Sequence, residues 1–310
     1  YTSITIFIIG AIMSSNAFYS RETHKIRSLF NIEKSFCIIK TNGVTGFDNR
    51  DSAWEERGGG ISSTNALMLM ENGVNEISLE IGALGWFSDK SLSPEERGRF
   101  DPQSSCSLEL VRFNGQEKQT LSSIKVAINP MGLPEAQPNN THPITRTTSL
   151  AEQIIPGHID SDYFNKTYFP QGMELYRFWQ KVAVSGLPEW AWIKAEPFTG
   201  SNKQIQQLRT AYSDMADIIN SKNRNRLKTF NNIALEAWSA TTGDSEDDIL
   251  LSLYTKEKLE EGKAKLIPIK WDDYDIRVMN RGRMVKFYNK SDQNYSPLTY
   301  KYIDKDGDEY

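Results

Sequence analysis

Basic residues are too few and too scattered for a chain that would grip nucleic acid. The 36 lysines and arginines face 40 aspartates and glutamates, leaving a net charge of −4, and the concentrated cationic face that nucleic acid requires is missing. The nearest cluster, Lys222, Arg224, Arg226 and Lys228, reads as a solvated junction between two helices. Histidine is scarcer: only His24, His142 and His158 occur. None of them stands in H-E-x-x-H, and the chain has no G-x-S-x-G and no paired C-x-x-C. The sequence therefore carries none of these catalytic or metal motifs, no catalytic set in it is convincing, and no cofactor is expected. Long hydrophobic runs are also lacking. The run from Ile4 to Met13 covers only about half of the roughly 20 residues that a membrane-crossing helix needs.

That short run fits the apolar segment of a secretory signal peptide. Ser15 and Ala17 put small residues at −3 and −1 of a cleavage site after Ala17, so residues 1–17 are expected to be removed. No Lys or Arg precedes Arg21 and the chain opens on Tyr1, so a few basic N-terminal residues are expected upstream. The expected location is periplasmic or secreted, with no stable membrane span after cleavage. Two cysteines agree with it. Cys37 and Cys106 lie in strand-like stretches, and an even count in an oxidising compartment predicts a disulfide between them.

The rest of the chain reads as α+β in two parts. Residues 18–135 alternate apolar and polar at period two, as in Ile77, Leu79 and Ile81 against Glu76, Ser78 and Glu80. Asn72-Gly73 and Asn114-Gly115 read as hairpin turns, and Ser93-Pro94-Glu95-Glu96 reads as a capped helix start. The expectation is an antiparallel β-sandwich-like domain. Residues 136–172, rich in proline, read as an irregular linker. Residues 173–310 read as an α+β domain with helices packed on an antiparallel sheet, opening with paired strands around Trp179 and around Trp190 and Trp192. Apolar spacings of three and four place a helix through Leu208, Tyr212, Met215 and Ile219, a second through Leu227, Phe230, Ala234 and Trp238, and a third from Ser245. The C-terminal "DKDGDEY" reads as a turn whose return strand is cut off, with a calcium loop as the alternative.

Four constellations hold chemistry in principle. His158 precedes Asp160 and Asp162, a possible His/Asp site whose default is a hydrogen-bonded loop histidine. Asp272, Asp273 and Asp275, with Glu196, supply acids for glycoside hydrolysis if their separation suits it; the default is a solvated strand edge. Gly58, Gly59 and Gly60 lack the Lys-Ser/Thr of a phosphate loop and read as a flexible turn. Trp179, Trp190 and Trp192 are the binding candidates, as an aromatic platform or, alternatively, as core. Three Asn-x-Ser/Thr triplets, at Asn139, Asn165 and Asn289, are near chance in this composition. The function expected is an exported, non-enzymatic protein that binds a protein partner, such as a toxin-neutralising immunity-type protein or an envelope accessory. The alternatives are a hydrolase of cell-wall or carbohydrate substrate and a carbohydrate-binding module.

Overall fold

A computed structural model describes residues 25–138, 142–159, 168–254 and 264–302. The expected signal segment, His24, Asp160, Asp162, two of the three triplets and the "DKDGDEY" segment lie outside the described residues. Among the described residues the chain is mixed α and β, with six helices and four antiparallel sheets. Its contacts divide it into two compact units. The first unit takes residues 25–153 and 168–189, and the second takes 154–159 and the described part of 190–302.

The first unit holds two five-stranded sheets. One runs β4 (Gly60–Asn65), β1 (Lys25–Glu33), β6 (Ser105–Asn114), β7 (Glu117–Ile128), β8 (Pro134–Ala136). The other runs β3 (Val44–Asp48), β2 (Phe36–Thr41), β5 (Gly73–Gly82), β10 (Glu174–Val184), β9 (Thr145–Leu150). Period-two patterning drives both. In β1 the buried Ile26, Ser28, Phe30 and Ile32 alternate with partly exposed neighbours. Cys37 of β2 and Cys106 of β6 form the disulfide that joins one sheet to the other, with Cα atoms 6.6 Å apart. Gln180 of β10 donates to Ser122 Oγ of β7 at 2.5 Å, a second bond between the sheets. Two short helices, α1 (Arg50–Trp54) and α2 (Pro94–Arg97), sit in the connections. The second starts as its sequence predicts, with Ser93 and Glu96 forming a capping box and Pro94 at the first turn.

The hairpin expected at Asn72-Gly73 does not form. Leu67, Leu69 and Met70 are nearly consecutive buried residues, and Leu67–Leu69 folds as a 3-10 turn that Met70 ends, instead of an alternating strand. Buried Asn75 fixes the segment, accepting from the Glu71 amide at 3.1 Å and from Asn42 Nδ2 at 2.9 Å. The tight turn is Asn42-Gly43, between β2 and β3, with φ of +48° and +76° as a type I′ hairpin demands. The expected linker also contains structure. Thr145–Leu150 follows the prolines with three β-branched threonines and pairs with β10 along its whole length. Strand β10 pairs with β5 from Tyr176 to Val184, so it lies in the first unit and does not open the second.

In the second unit, α3 (Asn202–Asn220) buries Leu208, Tyr212, Met215 and Ile219. The next expected helix is two, α4 (Arg224–Phe230) and α5 (Asn232–Thr242), because Asn231 is buried and turns its Nδ2 back onto the Leu227 carbonyl at 2.8 Å. Gly243, at φ +84°, ends α5, and Ser245 caps α6 (Glu246–Leu253). Strands β12 (Tyr274–Met279) and β13 (Met284–Asn289) form a hairpin, and β11 (Ala264–Leu266) pairs with β14 (Tyr300–Tyr302). Helix residues Tyr212, Met215, Leu227, Leu235, Ile249 and Leu250 share one core with Phe287, Leu298 and Tyr300. The segment Trp190 to Phe198 is no strand: Pro188 precedes it, Pro197 lies within it, and Ala191–Lys194 is a 3-10 turn.

Candidate functional site

Alternation in β10 settles where Trp179 points. Phe178, Gln180, Val182 and Val184 are buried, and Gln180 reaches Ser122 of the facing sheet. Arg177, Trp179 and Lys181 therefore stand on the opposite, outward face. On β5 the inward set is Ile77, Leu79 and Ile81, which leaves Glu76, Ser78 and Glu80 on the outer face, Ser78 buried there beneath its neighbours. Cross-strand register then assembles a patch. Lys40, Ser78, Trp179 and Thr145 lie side by side across β2, β5, β10 and β9, and Glu80, Arg177 and Thr147 make the adjacent row.

Two ion pairs share this face with Trp179. Lys40 Nζ meets Glu80 Oε1 at 2.5 Å, and Arg177 Nη2 donates to Glu76 Oε1 at 2.5 Å. The Arg177 guanidinium also lies 5.9 Å from the Trp179 ring centroid, within the range of a cation–π contact. The pairs lock four long side chains into one arrangement, so less side-chain entropy remains to be lost when a ligand arrives. The indole itself is partly exposed. Sequence reasoning singled out Trp179 and missed Lys40, Glu76, Glu80 and Arg177 around it. The alternation of each strand was readable, but the register that sets these strands side by side was not.

Trp190 and Trp192 belong to the other unit and are 2% and 1% exposed. The Arg283 guanidinium sits 5.0 Å from the Trp192 ring and donates to the Ile193 carbonyl at 3.1 Å. The Phe198 amide donates to the Gly282 carbonyl at 2.7 Å, tying the same segment to the turn between β12 and β13. That turn holds Asn280, Arg281 and Gly282 all at positive φ. As placed, these two indoles pack the second unit and present no face to a ligand.

The structure joins two groups that the sequence offered separately. His158 Nδ1 lies 3.2 Å from Asp273 Oδ1. The loop that carries His158 is pinned alongside β13: the Ile155 amide donates to the Lys290 carbonyl, the His158 amide to Ser291 Oγ, and Asn289 Nδ2 to the His158 carbonyl. Asp272 and Asp273 lie in a 3-10 turn before β12, so the expected single strand through the three aspartates is not formed. Lys290 Nζ donates to the Asp272 carbonyl at 2.7 Å and stands 4.0 Å from Asp275 Oδ1. Beside them, burial pushes the Tyr274 phenol up to about 12, with the Asp273 charge adding to the rise and a hydrogen bond with Asn289 opposing it. Among the described residues, no group of three or more His, Cys, Asp or Glu could hold a metal ion.

Two further motifs are absorbed by the fold. Gly58, at φ +57°, accepts the Ser35 amide at its carbonyl, and a Cβ there would stand 2.8 Å from the Ser35 nitrogen, so this glycine loop is packed backbone. Asn289 is 2% exposed, with its side chain spent on His158 and Ser291, which leaves no access for a glycan. Among the described residues, no helix is long and apolar enough to cross a membrane. Comparison with protein-family models, with curated proteins and with solved structures returns no match for this chain.

Proposed function

We propose that this chain is an exported binding protein that engages a protein partner through the outer sheet face around Trp179. The observation that carries the reading is the partly exposed indole beside Arg177, on the face that also carries the Lys40–Glu80 and Arg177–Glu76 pairs. Tryptophan and arginine dominate binding hot spots, because a rigid ring and a planar cation lose little freedom when buried by a partner. The two sheets of the first unit, read as a β-sandwich, supply the stiff platform. A disulfide buried between them supports a periplasmic or secreted location, where thiols stay oxidised. Neutralising a toxin, or serving as an accessory of an envelope assembly, are roles that need no catalytic group.

The test is affinity purification of wild-type and Trp179→Ala baits from the native periplasmic or secreted fraction. A stoichiometric protein partner on the wild type alone supports the reading, and the mass of the bait reports cleavage after Ala17. A partner equally retained by the variant, or no partner at all, overturns it. Carbohydrate binding is the second reading. It is favoured by the same ring, since carboxylates and a guanidinium share the outer sheet face with a partly exposed indole. A glycan array probed with both proteins separates the two.

A further inference from the structure

Among the described residues the first unit has four edge strands, and three are protected. β3 and β4 close on each other: a Cβ at Gly46 of β3 would lie 2.8 Å from Thr64 Oγ1 of β4, and Phe30 stacks on Phe47. β8 is three residues long and begins with Pro134, two of the usual means of blunting an edge. β9 has none of these. It runs six residues without proline, lysine or bulge, and all six are exposed, Leu150 at 67%. Its one charge is drawn back over the sheet, with the Arg146 guanidinium 5.0 Å from the Tyr176 ring.

The hydrogen-bonding direction of each residue follows from one bond. The Ala151 amide donates to the Met173 carbonyl at 2.7 Å, which makes Ala151 and Met173 a hydrogen-bonded pair. Antiparallel ladders alternate such pairs, so Ser149, Thr147 and Thr145 turn their peptide groups toward β10. Arg146, Thr148 and Leu150 turn theirs outward, away from the sheet.

From this we infer that β9 is a self-association edge, which a second copy of this chain extends by antiparallel two-fold pairing. The outward residues alone can make the new hydrogen-bonded pairs, which restricts the register. Thr148 opposite the partner's Thr148 uses all of them, setting Arg146 against the partner's Leu150 and Thr147 against the partner's Ser149, with about six backbone hydrogen bonds. No like charges face each other, hydroxyl pairs lie opposite, and the Arg146 stem covers the exposed leucine. The neighbouring two-fold registers lose a pair or leave Leu150 bare. This assembly joins the two outer sheet faces into one and does not rest on what Trp179 binds.

The experiment is analytical ultracentrifugation of the full chain over a concentration series up to about 0.5 mM, the range suited to a small interface. The expected result is a monomer–dimer equilibrium for the wild type. Thr148→Pro removes only an outward-facing amide and should raise the dissociation constant at least about tenfold, with unchanged circular dichroism. Thr148→Lys keeps the amide, sets like charges at the two-fold axis and should do the same should the proline variant fold poorly. Trp179→Ala should leave the dimer intact. A wild type that stays monomeric throughout, or a dimer that well-folded Thr148 variants do not weaken, overturns the inference.

Discussion

His158 and Asp273 stand 115 positions apart in the sequence, yet their side chains meet at 3.2 Å. Their side chains are 27% and 23% exposed, so solvent screens the pair and holds its worth below about 1 kcal/mol. Ser291 is the stronger fastening. It is fully buried, accepts from the His158 amide at 2.7 Å and donates to the Ile155 carbonyl at 2.8 Å. Asp273→Asn should therefore cost under about 1 kcal/mol and Ser291→Ala about 1–3 kcal/mol, since the alanine removes both hydrogen bonds of a buried hydroxyl. Urea denaturation of both variants checks the order. A larger loss from Asp273→Asn would mean that the His158–Asp273 contact, and not the serine, holds the loop.

Alkaline pH should unfasten the second unit. Tyr212 is 2% exposed, and burial pushes its phenol up to about 12, only partly offset by the hydrogen bond it accepts from the Phe287 amide. An unfolded tyrosine ionises near about 10. Below that pH both states are neutral and the contribution is whole. Between about 10 and about 12 the unfolded chain sheds its proton first, and stability falls by about 1.4 kcal/mol per pH unit. Tyr274, also pushed to about 12, steepens the decline. Urea midpoints at about pH 8 and about pH 11 should show the loss. Tyr212→Phe should flatten it while costing about 1–3 kcal/mol at neutral pH, because Phe287 loses its acceptor.

The disulfide should resist reduction until the first unit opens. Cys37 and Cys106 are both 0% exposed, so no thiol reagent reaches their sulfurs in the folded chain. The bridge spans 69 positions, which in the chain-entropy model corresponds to about 4 kcal/mol. Thiol labelling after mild reductant should be negligible in native buffer and complete in denaturant, and Cys37→Ala with Cys106→Ala should lower stability by about 4 kcal/mol. Rapid labelling in native buffer would show that the sheets part locally without unfolding.

How far the sequence could be read depended on whether a signal was local. Ser93-Pro94-Glu95-Glu96 and Ser245 announce their caps within four residues, and both helices start where they should. The disulfide was legible because only one pairing of two cysteines exists. Asn72-Gly73 misled because its competitor is remote: Asn75 is held by Asn42, far back along the chain. Thr145–Leu150 was hidden by the prolines before it, since its strand character comes from pairing with β10. The Trp179 patch and the His158–Asp273 pair share that difficulty. Each depends on register or on a loop docking across long sequence separations, which periodicity does not encode.

The three tryptophans that the sequence grouped together should separate in a mutational test. Trp192 is 1% exposed beneath the Arg283 guanidinium, so Trp192→Ala should cost about 3–5 kcal/mol and leave Arg283 without its ring. Trp190→Ala, at 2% exposure in the same core, should cost a similar amount. Trp179 lies on an outward sheet face, where truncation removes a cross-strand contact and about 1 kcal/mol or less. Thermal denaturation therefore ought to show Trp190→Ala and Trp192→Ala strongly destabilised and Trp179→Ala near wild type. That ordering keeps Trp179→Ala usable as a binding variant with an intact fold. A Trp179→Ala protein as unstable as the other two would place its ring in the core and remove the binding face with it.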